Sequence, residues 1–235
     1  MKTVVIRVNP QAPEPEAVAE AVAVLRSGGL VVFPTETVYG LAARAFDVQA
    51  VQRVFAVKRR PAGEPLPVQV ASAAGLARVV RRVLAQAERL LQCFAPGPIT
   101  IVLHAERTLP ESVTAGTGKV GIRIPADPVA QAILQAMAEP LVVTSANRHG
   151  RPAPADAQTA LRELKDEIEL VLDGGQRRLA QESTVIDLTQ EPPKILRQGS
   201  LSREAIESLI GPVVVISRTK GAQEHKEHKS TIAQV

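Results

Sequence analysis

Basic side chains stand in this sequence at places where an anion would stabilise them. Lys58, Arg59 and Arg60 lie together at the end of an apolar helical segment. Arg123 and Arg197 fall inside strand-like segments, where a buried arginine is costly unless it meets an anion. The alternatives are a solvated helix end for the cluster and a solvent-facing strand edge for the other two. Taken together, the five cations favour a ligand that carries phosphate or carboxylate groups.

Polar residues follow the apolar strands in the same way. Leu30–Phe33 is typical of a buried strand, but Pro34 ends it and the polar run "TET" follows, with Tyr39, the only tyrosine, just after. The segments "LVVTSANRHG" and "VLDGGQRRLAQESTVIDL" repeat this design. Ligands of open α/β sheets bind where strands end, so we expect these side chains to lie at one site.

Hydrophobic periodicity predicts the elements that must position these residues. The predicted helices are Glu16–Arg26, Val48–Lys58, two pieces within Ala73–Phe94, Pro128–Ala138 capped by Asp127, a helix through Leu164 capped by Asp156, and Ser202–Ile210. The predicted strands are Thr3–Val8, Leu30–Phe33, Leu66–Val70, Pro98–His104, Val120–Pro125, Pro140–Ser145, Ile168–Asp173, Ser183–Thr189, Lys194–Gly199 and Val213–Ser217. Strands alternate with helices early and cluster late, which predicts an α/β fold with a twisted, open, mixed β-sheet and flanking helices.

Composition bounds the class of protein. The chain has 235 residues, of which 45% are hydrophobic, so one globular domain over residues 1–212 is expected, followed by a short strand and a polar tail or linker over 213–235. Only 2% of residues are aromatic, which argues against a single-strand nucleic-acid binder. The one cysteine, Cys93, is expected to pack in the core. Neither a signal peptide nor a membrane-length apolar run is evident, which predicts a cytoplasmic protein.

Two familiar kinds of site, a dinucleotide site and a structural zinc site, are not supported by the sequence. Gly116, Gly118 and Gly121 match G-x-G-x-x-G, but here the pattern opens a strand, whereas a dinucleotide site requires it to open a helix. The four histidines do not have the spacing of a structural zinc site.

The sequence resembles the YrdC-like family, the threonylcarbamoyl-AMP synthases. The resemblance covers about Pro15 to Ile210 and rests on seven segments in the family's order: "FPTETVYGL", "KRRP" followed by "PL", "FAPGPITIVL", "GIRIP", "TSAN", "STVIDL" and "ILRQG". It implies a twisted open sheet around a basic cavity. It also implies synthesis of threonylcarbamoyl-AMP from L-threonine, bicarbonate and ATP, with release of pyrophosphate, as the first step of a tRNA modification.

The resemblance also implies roles for particular residues. Lys58 and Arg60 would be catalytic through the ATP phosphates, and Arg123 would pair with the threonine carboxylate through both arms of its guanidinium. The implied L-threonine site consists of Thr35, Tyr39, Gln69, Arg123, Thr144 and Ser183. The implied ATP site consists of Lys58, Arg60, Ala62, Ser145, Asn147 and Arg197. Mg²⁺ would arrive with ATP, held largely by phosphates and water.

Other partners and two alternatives follow from the same resemblance. A separate threonylcarbamoyl transferase complex would consume the product, and weak RNA or tRNA binding is a further expectation, whereas a membrane partner is not expected. Four residues depart from the commoner family pattern: Ala62, Glu64, Gln69 and His149 stand where Ser, Asn, His and Ser are frequent. The alternatives are a related carbamoyl-adenylate enzyme and a module that binds double-stranded RNA or tRNA without catalysis.

Overall fold

The computed structural model describes residues 2–177 and 181–216, and within them one twisted sheet of eleven strands runs through the molecule. The strands are β1 (Val4–Arg7), β2 (Val31–Pro34), β3 (Tyr39–Arg44), β4 (Val68–Gln69), β5 (Ile99–His104), β6 (Lys119–Arg123), β7 (Leu141–Ser145), β8 (Leu170–Asp173), β9 (Thr184–Asp187), β10 (Lys194–Arg197) and β11 (Val214–Val215). Their order across the sheet is β1-β8-β2-β3-β7-β4-β6-β5-β9-β10-β11. Parallel and antiparallel neighbours both occur, so the predicted mixed α/β sheet is confirmed.

Helices flank the sheet. They are α1 (Pro15–Arg26), α2 (Val48–Lys58), α3 (Ala85–Phe94), α4 (Glu111–Thr114), α5 (Pro128–Met137), α6 (Ala157–Leu164) and α7 (Arg203–Ile210), with a 3₁₀ helix at Ala73–Arg78. Of these, α1, α2, α5, α6 and α7 begin within one residue of the predicted positions. The Asp127 side chain accepts hydrogen bonds from the backbone amides of Val129 and Ala130, and that of Asp156 accepts from Thr159. Both predicted N-caps are therefore confirmed.

The core lies on both faces of the sheet because side chains alternate along each strand. Val31 and Phe33 belong to the apolar cluster that α1 and α5 cover. Leu30 and Val32 belong to the cluster on the opposite face, to which α2, α3, α6 and α7 contribute. The strands that carry the polar ends are thus fixed from both sides, and their ends can hold side chains in place.

Three features differ from the sequence predictions. Strand β3 (sequence YGLAAR) was not expected, because alanine and glycine have low strand propensity; it forms because it pairs with β2 and β7 and is buried over nearly its whole length. The four-residue helix α4 was also missed. The prediction that Cys93 packs in the core is wrong, since its side chain is exposed on α3.

The predicted C-terminal strand is present in part. Strand β11 pairs in parallel with β10, and Val214, Val215 and Ile216 are exposed. Residues 217–235 of the predicted tail lie outside the described residues. Within the described ranges, no helix combines the length and apolar character that a membrane span requires.

Candidate active site

A cavity of about 630 Å³ opens where the polar strand ends meet. Of the twelve residues to which the resemblance assigns a site role, ten line it. They are Thr35, Lys58, Arg60, Gln69, Arg123, Thr144, Ser145, Asn147, Ser183 and Arg197. The fold therefore brings together side chains that lie on four strands (β4, β6, β7 and β10), at the end of α2 and in the loops between elements.

Lys58, the last residue of α2, points into the molecule rather than into solvent. Only 1% of its surface is exposed, and Nζ donates hydrogen bonds to the backbone carbonyl oxygens of Ser145 and Asn147, the second at 2.6 Å. Burial, together with the neighbouring charge of Arg60, lowers the pKa of Lys58 to about 8. The interpretation of Lys58 as a solvated helix end is therefore wrong.

Arg60 borders the cavity with a carboxylate beside it. Its Nη2 donates to the carbonyl oxygen of Pro65 at 2.9 Å and lies 3.2 Å from Glu64 Oε2. The other oxygen of Glu64, Oε1, is 3.6 Å from His149 Nε2. Glu64 and His149, two departures from the family pattern, thus meet each other at the cavity. Arg59 is exposed.

The hairpin loop between β2 and β3 forms another part of the wall. Thr35 Oγ1 donates to the carbonyl oxygen of Val38 at 2.7 Å and lies 2.8 Å from Thr37 Oγ1. These local bonds shape the turn, which is the strand-end capping role that a threonine commonly has. Gly40 follows on β3, where a Cβ atom would lie 2.7 Å from a methyl carbon of Val143 on β7. Only glycine lets the two strands approach this closely beside the cavity.

Arg123, on β6, is buried at the cavity wall with 8% of its side chain exposed. Its Nε donates to the carbonyl oxygen of Gly97 at 3.2 Å, and its Nη2 donates to Thr37 Oγ1 at 3.0 Å. Nη2 also lies 2.9 Å from Glu36 Oε1. The arginine therefore has an internal counter-ion, which the sequence did not predict.

A second cluster of polar groups consists of Thr100 on β5, Arg197 on β10, and Glu182 and Ser183 just before β9. Ser183 Oγ is 2.8 Å from Thr100 Oγ1 and accepts a hydrogen bond from Arg197 Nη2 at 3.1 Å. Arg197 Nη1 pairs with Glu182 at 2.7 Å. Ser183 is thus held in place from two sides, with Arg197 as the common contact of Ser183 and Glu182.

Two amide side chains present unused acceptors. Gln69 Oε1 and Asn147 Oδ1 are buried and accept no hydrogen bond from any described residue. Both residues line the cavity. Since a buried acceptor without a partner costs about 1–3 kcal/mol, these oxygens are suited to receive donors from a ligand.

Two residues to which the resemblance assigns a site role lie elsewhere. Tyr39 is fully buried outside the cavity lining; its hydroxyl donates to the carbonyl oxygen of Gly175 at 2.7 Å and accepts from the amide of Gly174 at 3.1 Å. Burial raises the pKa of this hydroxyl above its ordinary value. Tyr39 therefore packs against the segment after β8, and its assignment to the L-threonine site stays a prediction. Ala62 is exposed and is likewise not among the lining residues.

Several lining residues had escaped the sequence reasoning. Lys119 Nζ lies 3.2 Å from Asp187 Oδ2, and both residues line the cavity, as do Thr100 and Glu182. Burial alone would raise the pKa of Asp187, but hydrogen bonds from Thr189 and Lys119 lower it overall. The available signal was a charged or polar residue at alternate positions of an apolar strand, but this pattern also fits a solvent-facing strand.

The arrangement can bind a ligand that has two different anionic groups. Lys58 and Arg60 lie at one part of the wall, and Arg123 lies at another beside hydroxyl groups. No Ser or Cys is placed next to a histidine base within the described cavity wall, so the geometry favours charge neutralisation and positioning over a covalent intermediate on the protein.

Comparison with known proteins gives one family. The model of the Sua5/YciO/YrdC family, described as "Telomere recombination", matches residues 23–199. A Threonylcarbamoyl-AMP synthase from Pyrococcus abyssi is 42% identical over 189 residues, which are 80% of this chain and 56% of that protein. The enzyme of the same name from Bacillus subtilis is 36% identical over 211 residues, which are 89% of this chain and 60% of that protein. The chain thus spans less than two thirds of the length of these relatives.

A solved structure agrees with this likeness. The crystal structure of P. abyssi Sua5 complexed with L-threonine superposes with a TM-score of 0.88 at 40% identity, covering 91% of this chain and 63% of that chain.

Proposed function

Because the chain belongs to the Sua5/YciO/YrdC family, we propose that it makes threonylcarbamoyl-AMP from L-threonine, bicarbonate and ATP and releases pyrophosphate. The relatives that carry the name Threonylcarbamoyl-AMP synthase, at 36–42% identity, support this activity. The observation that carries the proposal is the cavity itself, where Lys58 and Arg123 face one space from different elements. One of these cations suits a phosphate chain, and the other suits an amino-acid carboxylate.

The chemistry requires little covalent help from the protein. The neutral amine of threonine adds to CO₂ derived from bicarbonate and loses a proton, which yields a carbamate. A carbamate oxygen then attacks the α-phosphorus of ATP, and the bond to the β-phosphate oxygen breaks as pyrophosphate leaves. The charge of this leaving group grows in the transition state, so fixed cations contribute most when they are already in place.

We assign the threonine end to Arg123, Ser183 and Gln69. Arg123 would meet the carboxylate, and the Oε1 acceptor of Gln69 can receive a hydrogen bond from the amine or hydroxyl group. Thr35 and Thr144 line the same space, although the hydroxyl of Thr35 already donates within its own turn. Thr35 therefore contributes through the shape of the hairpin and as an acceptor.

We assign the nucleotide end to Lys58, Arg60, Ser145, Asn147 and Arg197. Lys58 is anchored by two carbonyl oxygens, so its ammonium group needs no reorganisation when a phosphate arrives. Asn147 offers its free Oδ1 acceptor, which suits a hydroxyl or an amine of the nucleotide.

Magnesium fits this site as a companion of ATP. In the described part of the chain, no three His, Cys, Asp or Glu side chains cluster closely enough to hold a metal ion. Glu64, Glu182 and Asp187 are the carboxylates that line the cavity, and each is already paired with a cation. We propose that the ion would neutralise phosphate charge and would be held mainly by phosphates and water, with the carboxylates of Glu64 and Glu182 available to its water ligands.

The proposal includes the wider setting. The product is a mixed anhydride that hydrolyses easily, so a transferase complex that acts on tRNA in the cytoplasm would have to take it up directly. Weak RNA or tRNA binding by this chain would serve the same delivery.

The decisive experiment follows labelled bicarbonate into product. With ATP and L-threonine present, label should appear in threonylcarbamoyl-AMP, together with one pyrophosphate per adduct. Omission of L-threonine should abolish both products. Equal formation of AMP with and without threonine, or stoichiometric RNA binding in the absence of any adduct, would contradict the proposal.

A further inference from the structure

Glu36 lies in the hairpin loop between β2 and β3, and its carboxylate is next to Arg123. Its neighbours Thr35 and Thr37 line the cavity, whereas Glu36 is not part of the lining. Both carboxylate oxygens are shielded from solvent, and neither accepts a hydrogen bond of good geometry from a described residue. The Oε1 atom nevertheless lies 2.9 Å from Arg123 Nη2, at ion-pairing distance. Glu36 is thus a buried charge whose counter-ion is Arg123.

Other charges near Glu36 do not replace this partner. The charge of Glu36 contributes to raising the pKa of Asp127, so the two carboxylates lie near one another, although burial is the larger cause of that shift. Asp127 has its own cation, because its Oδ2 lies 2.8 Å from Arg177 Nη1. Among the described residues, Arg123 is the only cation within ion-pairing distance of Glu36. The Arg123–Glu36 pair therefore carries no net charge.

The contacts of Arg123 limit how a ligand can approach it. Nε is bound to the Gly97 carbonyl oxygen, and Nη2 serves both Thr37 and Glu36. Nη1 has no hydrogen-bond partner among the described residues, so it is the nitrogen left for a ligand that enters from the cavity. A single carboxylate oxygen can bind there without displacing Glu36. A two-armed contact would require Nη2 to leave Thr37 or Glu36.

The Lys58 end of the cavity differs from the Arg123 end, because its cation is not neutralised by a carboxylate of a described residue. Lys58 is held by carbonyl oxygens, which are neutral, and within the described ranges it lies within 4.0 Å of no carboxylate. A polyanion therefore meets a full positive charge at Lys58 but a neutralised one at Arg123. Since phosphate chains are attracted by net charge, whereas one hydrogen-bonding nitrogen suffices for a single carboxylate, the two ends differ in preference.

We propose that Glu36 is a specificity-determining residue that neutralises Arg123, reserves it for the singly charged carboxylate of an amino acid, and keeps phosphate groups at the Lys58 end. The inference rests on the proposed function, since it concerns how one cavity sorts two anionic substrates. Glu36 acts through Arg123 and touches neither substrate.

The test is a competition between two anions in the absence of ATP and metal. Inorganic pyrophosphate is titrated into wild-type protein and into Glu36→Gln by calorimetry, with and without saturating L-threonine. In the wild type we expect the two ligands to bind independently, with the pyrophosphate Kd changed less than twofold by threonine. In Glu36→Gln the pyrophosphate affinity should rise about tenfold, because Arg123 has become a full cation, and L-threonine should now displace pyrophosphate.

Two matched variants separate charge from structure. Glu139→Gln removes a carboxylate from the Arg44–Glu139 pair outside this cavity and should behave as wild type. Thr37→Val removes the hydroxyl that accepts from Arg123 but leaves Glu36 charged, so competition should stay absent. A purely structural role of the loop predicts the same result for Thr37→Val and Glu36→Gln.

The outcomes separate this inference from the proposed function. Pyrophosphate binding in Glu36→Gln that equals that of Glu139→Gln, or that threonine does not displace, would overturn the inference alone. If Glu36→Gln does not fold, the wild-type titration decides, because displacement of pyrophosphate by threonine in that protein contradicts the reserved carboxylate site. Failure of wild-type protein to bind L-threonine at all would overturn the proposed function, and the inference with it.

Discussion

Lys58 and Asn147 are joined inside the cavity, since Lys58 Nζ donates a hydrogen bond of 2.6 Å to the backbone carbonyl oxygen of Asn147. The contact ties the end of α2 to the loop after β7, 89 positions further along the chain. A flexible lysine thereby becomes a fixed charge at the cavity surface. Its role in the proposed reaction can be separated from its role in tying the two segments.

Replacement of Lys58 tests that charge. Lys58→Met should lower kcat/KM for ATP. The expected loss of transition-state stabilisation is about 2–4 kcal/mol, which is the usual scale for losing a charged contact to the reacting group. Arg59→Ala is the matched control, because this neighbouring side chain is exposed and should change kcat/KM little. Steady-state pyrophosphate release measures both variants. Similar kinetics for both would remove Lys58 from the phosphate site.

The pH dependence should report the same group. The pKa of Lys58 is lowered to about 8, so the free protein loses this positive charge as pH rises through that value. We expect kcat/KM for ATP to fall above about pH 8. In the pH profile of kcat, the corresponding fall should occur at higher pH, because bound phosphates favour the charged form of Lys58.

A charge-retaining variant serves as the control for this profile. In Lys58→Arg the guanidinium group stays protonated over the whole pH range. The kcat/KM profile of this variant should therefore lack the fall near pH 8. Persistence of that fall in Lys58→Arg would assign it to another group, such as the amine of threonine.

Substrate analogues test the proposed contact between Arg123 and the carboxylate of L-threonine. L-Serine lacks one methyl group, which a pocket can exploit for only about 1–3 kcal/mol, so it should be a poor but measurable substrate. L-Threoninol lacks the carboxylate and should give no adduct, because Arg123 Nη1 would be left without its anion. Adduct formation is measured by chromatography with labelled bicarbonate. Turnover of threoninol near the threonine rate would rule out Arg123 as the anchor.

The buried pair of Asp127 and Arg177 should matter for stability. Asp127→Ala removes an N-cap and leaves Arg177 buried without its partner, which should lower the free energy of unfolding by about 4 kcal/mol. Asp156→Ala removes only an N-cap, so it should cost about 1 kcal/mol. Urea unfolding measures the difference. Equal losses in the two variants would mean that the buried pair adds nothing beyond the cap.

Tyr39 separates packing from binding. Tyr39→Phe deletes the hydroxyl that bridges Gly174 and Gly175, so the free energy of unfolding should fall by about 1–2 kcal/mol. KM for L-threonine should remain within about twofold of wild type, because the side chain does not line the cavity. A large rise in KM for L-threonine, with the free energy of unfolding unchanged, would support Tyr39 as part of the L-threonine site.

Local patterns in the sequence predicted most of the helices and strands, and the resemblance to a known family predicted most of the residues that line the cavity. Apolar periodicity and caps such as Asp127 depend on neighbours a few positions away, so they were readable from the chain alone. The polar ends of apolar strands indicated where a site would lie, and the ordered motifs indicated the family and, through it, the ten residues that line the cavity and the proposed reaction.

The tertiary structure decided which of these groups are available and how they are charged. The contacts Arg123–Glu36, Lys58–Asn147 and Ser183–Thr100 join segments more than 80 positions apart, and no local pattern specifies them. Strand β3 exists because two neighbouring strands bury it, against its own propensity. The hydroxyl of Tyr39 contacts Gly174 and Gly175 after β8, about 135 positions away, and again no local pattern specifies this contact. Side-chain direction and burial follow from long-range packing, whereas residue type and periodicity are local properties of the chain.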